Sequence, residues 1–286
     1  MNYFDLASLT SRSSVFDPAV ADWDAVARHP LPAPALRALR YMQDIESHTV
    51  FYLRELLSTH AVDDPELAGF LATWFYEETA HSRVLARFLA AAGHPVAPRP
   101  RRAPRTLGER IEALGIAVIG AAWRDFPVVH MTWGAINELT TLTGYRRLAQ
   151  CAGHPILSQL LAHIMRDESR HFGFYFEQAA RRLAASRRAR RITRTLVERF
   201  WDPVGSGVQP DTETRFLAGY LFSGDDGRAA ARAVDRTIRR LPGFEDMPLL
   251  EAWVDRYCPA PGPDGGRSAL RVERSAFPAA PTQFAH

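Results

Sequence analysis

The chain of 286 residues contains no lysine: all 35 of its basic Lys/Arg positions are arginine, against 32 acidic residues, for a net charge of +3. So uniform a bias does not mark a nucleic-acid binder, and no zinc, helix-turn-helix or RNA-binding motif accompanies it. Cysteine is almost as scarce. Cys151 and Cys258 are the only two; they lie far apart and fit no metal or redox spacing, so both are expected to be free thiols. No apolar run reaches the length of a membrane span. The N-terminal Met1-Asn-Tyr-Phe-Asp5 lacks the basic and apolar regions of a signal peptide. The expected location is the cytoplasm, without nucleic acid and without a membrane span.

What the chain does have is concentrated in Ile164-Met-Arg-Asp-Glu-Ser-Arg-His171. Glu168 and His171 are three residues apart, which places them on one helix face. That face is the apolar stripe Leu157, Leu161, Ile164, Tyr175, where the pattern calls for core residues. A single Glu-x-x-His is ordinarily a solvated surface pair. Here it occurs twice, because Glu78 and His81 interrupt the stripe Leu67, Leu71, Trp74, Leu85, Phe88 in the same way. Two further stripes each carry one acid: Glu46 among Leu39, Met42, Thr49 and Leu53, and Glu138 among Val128, Met131, Ala135, Thr141 and Tyr145. Buried carboxylates are costly unless paired or bound to a cation. One acid from each of two helices, and Glu-x-x-His from each of two others, is the ligand pattern of ferritin-like di-metal bundles.

The spacing of the acids predicts the topology. Glu46 and Glu78 are 32 residues apart and Glu138 and Glu168 are 30, each suited to an antiparallel helix pair. The 60 residues from Glu78 to Glu138 allow a crossover along the bundle. The expected fold is therefore all-α, a ferritin-like four-helix bundle with one long crossover and extra C-terminal helices. Ligand helices are predicted over 35–58, 65–93, 125–149 and 155–185. Asp64-Pro65 caps the second and Pro155 opens the fourth. A capping box at Thr106–Glu109 opens a helical segment inside the crossover. Further helices are predicted at 186–201, 211–222, 227–240 and near Tyr257. In domain terms, 1–34 is a lead-in, 35–258 one domain and 259–286 a flexible tail.

Four carboxylates facing one cavity repel one another and take up protons unless cations neutralise them. Two divalent ions balance four negative charges. Oxygen and nitrogen ligands without a thiolate favour iron or manganese. Glu77 and Asp167 each precede a paired glutamate, in position to accept hydrogen bonds from ligand imidazoles. The small residues Gly134 and Ala135, one turn before Glu138, either leave space for a substrate or permit close helix packing.

Trp74…Glu77-Glu-x-x-His81, Glu138-x-x-Thr141 and Asp167-Glu-x-Arg-His171 together resemble the soluble acyl-carrier-protein desaturases, diiron enzymes of the ferritin-like superfamily, over residues 35–185. The resemblance implies two iron ions held by Glu46, Glu78, His81, Glu138, Glu168 and His171. It also implies O2 as co-substrate, an external electron donor such as a reductase or ferredoxin, and a homodimer. Thr141 matches a threonine on the oxygen side of the site, and Arg170 matches the arginine before the last ligand. Ala80 departs from the arginine the family often has before its first histidine. The implied activity is O2-dependent oxidation of an unactivated C–H bond, with desaturation of an acyl-type substrate foremost. The alternatives are hydroxylation or N-oxygenation of a free intermediate, and, from another class, iron or peroxide handling of the ferritin and rubrerythrin kind. N-oxygenases with a seventh, histidine ligand place it where this chain has Ile164, and His163 is out of phase. Six arginines between Arg181 and Arg191, with Arg194 beyond, form a basic run without an acid. The resemblance makes Arg181, Arg187, Arg188, Arg191 and Arg194 a possible docking site for an acidic carrier protein.

Overall fold

The computed structural model describes residues 21–57, 59–96, 126–206 and 208–258. Among them the fold is all-α, and the only bridge between extended residues joins Ser206 and Gln209. The capping box at Thr106–Glu109, the crossover at 97–125, the first twenty residues and the segment 259–286 lie outside the described residues.

A short helix α1 (Trp23–Val26) precedes four long ones: α2 (Ala33–Leu56), α3 (Pro65–Ala91), α4 (Phe126–Ala152) and α5 (Pro155–Ala185). Local chemistry sets their ends. Asp64 accepts a hydrogen bond from the Glu66 N–H at 3.0 Å, with Pro65 behind it supplying a fixed φ and no orphaned donor. His154 caps α5 through its imidazole, which accepts from the Leu157 N–H at 3.2 Å. Gly93 (φ 80°) and Gly153 (φ 61°) end α3 and α4 in the left-handed conformation that glycine adopts without strain.

The α4–α5 connection is a two-residue turn. Glu138 lies fourteen residues before the end of α4 and Glu168 thirteen after the start of α5, so an antiparallel hairpin brings them level. α2 and α3 form the other hairpin, joined through a 3-10 turn at His60–Asp63 that the periodicity did not announce. The hairpins share a core of Leu67, Phe70, Leu71, Leu85, Tyr145, Leu161, Phe174 and Tyr175. The Phe70 and Phe174 rings stack at 3.9 Å between α3 and α5.

Four more helices follow: α6 (Arg187–Phe200), α7 (Asp211–Phe222), α8 (Gly224–Ile238) and α9 (Leu250–Tyr257). α6, α7 and α8 pack against α4, which is buried around most of its circumference. α8 begins three residues before the predicted start at Gly227. Asp235, buried on α8, accepts from the backbone N–H groups of Leu249, Leu250 and Glu251 and so fixes the start of α9.

Two expectations change in the light of the packing. A Cβ on Gly134 would lie 2.4 Å from the Tyr175 ring, so this position serves close helix packing and leaves no substrate space. The basic run is not one continuous patch. Arg181 pairs with Glu66 at 3.1 Å, and Arg194 pairs with Asp246 at 2.6 Å while also bonding the Gly243 carbonyl. Both guanidiniums serve the fold. Arg187, Arg188 and Arg191 remain exposed, without an ion pair to any described residue.

Candidate metal centre

Glu46 on α2, Glu78 and His81 on α3, Glu138 on α4, and Glu168 and His171 on α5 all point into the middle of the bundle, and all six are buried. They form two overlapping groups. Glu46, Glu78, His81 and Glu168 bring ligand atoms within 4.8 Å of one another, as do Glu78, Glu138, Glu168 and His171. Glu78 and Glu168 belong to both, which is the arrangement of two adjacent cation sites with shared carboxylates.

Each histidine turns Nδ1 inward. His81 Nδ1 lies 3.4 Å from Glu168 and 3.9 Å from Glu46. His171 Nδ1 lies 3.2 Å from Glu78 and 3.4 Å from Glu168. The outer nitrogens are held by the opposite helix: His81 Nε2 donates to Asp167 at 3.0 Å, and His171 Nε2 donates to Glu77 at 2.6 Å. A carboxylate acceptor fixes the proton on Nε2 and leaves the Nδ1 lone pair facing the cluster. Arg170 spans both acceptors, 2.6 Å from Glu77 and 2.6 Å from Asp167, and balances part of their charge.

The two outermost ligand-type carboxylates are held alike. Trp74 donates its indole N–H to Glu138 Oε1 at 2.9 Å, and the Tyr145 hydroxyl donates to Glu46 Oε1. In each, one oxygen is tied to an aromatic donor and the other is left toward the histidines. Sequence reasoning placed Tyr145 in the apolar stripe as a core residue. Its signal was its place seven residues after Glu138, on the same face.

The donor atoms test whether a metal fits. Glu46 Oε2, Glu78 Oε1, both oxygens of Glu168, and Nδ1 of His81 and of His171 are buried without a hydrogen bond. Leaving a buried polar atom unsatisfied costs about 1–3 kcal/mol, more when it is charged. These six atoms are the ones that converge, and they are oxygen and nitrogen only. The residues fit a pair of divalent cations.

The electrostatics agree. Burial, reinforced by the neighbouring carboxylates, raises Glu46 and Glu78, and burial with the charge of Glu168 pushes Glu138 up to about 8. Burial alone would raise Glu168 too, but the imidazoles of His171 and His81, each 3.4 Å away, hold it below the ordinary carboxylate value. Burial would depress both imidazoles. The carboxylates around each ring outweigh it, Asp167 and Glu168 for His81 and Glu138, Glu168 and Glu77 for His171, and lift both well above the ordinary value. The cluster favours positive charge at its centre, which divalent ions supply directly.

A family model described as fatty acid desaturase matches residues 50–199, more than half of the chain. The chain belongs to the fatty acid desaturase family. No curated protein and no solved structure was found to match it. The desaturase match spans five of the six ligand-type residues; Glu46 falls four residues before it and joins them through the α2–α3 hairpin. The family implies a diiron centre, in keeping with a buried Glu/His cluster able to bind metal. No helix of the described residues is long and apolar enough to cross a membrane.

Thr141 is half-buried and lines an apolar pocket that also reaches Glu46. Thr132, Thr140 and Thr143 each donate to the carbonyl four residues earlier, at 2.7–2.8 Å. The Thr141 hydroxyl makes no such bond among the described residues, so it is available to the pocket. Ile164 is buried in the core, and His163 lies outside the cluster beside Arg166.

Proposed function

We propose that this desaturase-family chain is an O2-dependent diiron oxidase that acts on an unactivated C–H bond, and that its reaction is desaturation of an acyl-type chain. One observation carries the proposal: two four-residue groups sharing Glu78 and Glu168, whose inward atoms lack any other partner. Glu46, Glu78, His81 and Glu168 would hold one iron, and Glu78, Glu138, Glu168 and His171 the other. When bound, an iron pair supplies the capacity to reduce dioxygen and so to oxidise a C–H bond.

The chain's own groups do the rest. Asp167 and Glu77 keep the protons on the outer nitrogens of His81 and His171 and so orient both rings. Arg170 holds those two acids in place. The Thr141 hydroxyl, free of its own helix, can hold or pass a proton at the pocket face of the cluster. The apolar wall opposite, including Met42, Leu217, Leu221 and Phe222, excludes water and accepts hydrocarbon. Desaturation takes two electrons from the chain, while reduction of O2 to water takes four. An external donor, a reductase or a ferredoxin, therefore supplies the remaining two. Arg187, Arg188 and Arg191 are the exposed cations to which an acidic carrier could dock. The apolar pocket beside Glu46 favours an oxidase over iron storage, which needs no organic substrate.

The test is turnover of the iron-loaded protein with an electron donor and acyl chains, free and carrier-bound, followed by mass spectrometry. Loss of two hydrogens supports desaturation. Gain of one oxygen makes the enzyme a hydroxylase. No oxidised product from any acyl chain, with iron retained, overturns the proposal.

A further inference from the structure

The pocket beside Glu46 is closed on its far side by residues beyond the matched family span. Tyr41, Met42 and Ile45 of α2 and Thr140, Thr141, Gly144 and Tyr145 of α4 form one wall. Pro203 and Val204 of the preceding loop, Thr214, Leu217, Ala218, Leu221 and Phe222 of α7, and Leu250 form the other. The lining is almost wholly apolar, and its free space is only about 50 Å3. A hydrocarbon enters only if a wall moves.

On the outer side lies a surface cavity of about 470 Å3, lined by Ala33, Leu36, Arg37, Arg40, Tyr41, Gln209 and Glu213. Tyr41 lines both spaces and is itself buried. It is latched across the boundary: its hydroxyl donates to the Val204 carbonyl at 2.8 Å and lies 3.1 Å from Thr214 Oγ1. The latch depends on Gly205, where φ is 97° and a Cβ would lie 1.9 Å from the Tyr41 oxygen. The surrounding frame is fixed. Arg37 forms a two-pronged pair with Glu213 at 2.6 and 2.8 Å and stacks over Phe216. Gln209 bonds Asp44. Arg40 is the exposed cation at the mouth without an ion pair to a described residue. It lies six residues from Glu46, about 9 Å along the helix axis.

We propose that Tyr41 is the gate of this pocket, which takes an unbranched aliphatic chain whose outer, anionic end is met by Arg40 while its apolar part lies against α7 beside Glu46 and Thr141. The gate opens when the Tyr41 hydroxyl leaves Val204 and Thr214 and the ring turns from the pocket. α7 then sets how long and how bulky a chain can be. The proposal rests on the oxidase reading for the identity of the reaction, but not for binding. The anion is a carboxylate of a free acid or a phosphate of a carrier-borne arm; both pair with a guanidinium.

The experiment is calorimetric and stopped-flow binding of decanoate, decyl phosphate and decanol to the iron-loaded protein, without a reductant so that no turnover occurs. Ala218→Phe, which fills the inner pocket, should weaken all three probes by about tenfold or more, with iron content and optical spectrum unchanged. Tyr41→Phe, which keeps the ring and removes the latch, should speed association by about fivefold and leave dissociation nearly unchanged, tightening Kd by the same factor, because the bound chain already holds the ring aside. Arg40→Gln should weaken decanoate and decyl phosphate and spare decanol. Tighter binding of decanoate than decyl phosphate assigns a free acid, and the reverse assigns a carrier arm. Wild-type affinity in Ala218→Phe overturns the pocket, an unchanged association rate in Tyr41→Phe overturns the gate, and equal loss of decanol in Arg40→Gln overturns the anion contact. Binding that responds as described, without oxidised product from any chain, would refute the oxidase reading and leave the pocket standing. Product formation with binding insensitive to all three variants would do the opposite.

Discussion

His171 donates its outer nitrogen to Glu77, 2.6 Å away on the opposite helix, and His81 returns the same bond to Asp167 at 3.0 Å. Each Glu-x-x-His helix thus supplies the residue that orients the other's imidazole, and Arg170 joins the two acceptors. The hairpins are tied together by this crossed pair before any ion is considered. Removing the charge from one acceptor should therefore loosen the metal without removing a ligand. Glu77→Gln is expected to weaken iron binding by about 10–100-fold, the usual effect of losing a carboxylate behind a ligand histidine. Competition with a chelator of known affinity measures it, and Asp167→Asn should behave alike. Unchanged affinity in both would mean that these acids only pack.

Thr141 lines the pocket next to Glu46 with a hydroxyl that is not bonded to its own helix. Thr141→Val should keep the full iron content and lower the product formed per O2 consumed, while Thr141→Ser should restore most of it. Oxygen-electrode and product measurements on one sample give the ratio. Unchanged coupling in the valine variant would reduce Thr141 to a packing residue.

Acid should weaken the fold through His130. Burial lowers this imidazole to about 3, and its Nδ1 is hydrogen-bonded to the Tyr52 hydroxyl at 2.8 Å. The unfolded chain binds the proton below an ordinary value of about 6.5, whereas the folded chain does not until about 3. Stability is thus lost as pH falls through that window, at up to about 1.4 kcal/mol per unit. His130→Gln should remove this share, so that between pH 7 and 5 the variant loses about 2 kcal/mol less than the wild type. Denaturant unfolding at both pH values measures the difference. Equal losses would show that His130 is protonated in the fold.

The four long helices were legible because Asp64-Pro65, Pro155 and the terminal glycines act locally, within a turn of themselves, although the cap that His154 provides was not. The six inward residues were legible because polar groups interrupted apolar stripes of fixed period. The partners of Glu46 and Glu138 were harder. Tyr145 sits in the same stripe as leucines, and periodicity reports which side a residue faces but not what it meets. Arg194 looked like part of a basic face, yet its partner Asp246 is 52 residues away and comes near only through the packing of the C-terminal helices. Gly134 read equally well as space or as contact until the Tyr175 ring was placed against it.

Carrier docking should depend on the cations left exposed. Arg187, Arg188 and Arg191 changed together to Glu should lower kcat/KM for a carrier-borne acyl chain and spare the free acid, with the loss shrinking at high salt as charges are screened. Arg194→Glu should instead act through stability, because it breaks the pair with Asp246. An equal effect of the triple change on both substrates, or no effect, would contradict docking at α6.

Glu78 and Glu168 are proposed to be shared by two irons, one completed by Glu46 and His81 and the other by Glu138 and His171. Anaerobic ferrous titration with quantitative metal analysis tests it most directly, on the wild type and on the paired change His81→Ala with His171→Ala. The wild type should bind about two irons per chain, following the two ligand groups, and the double variant should lose most of both while staying helical. Full iron in the double variant would contradict the account.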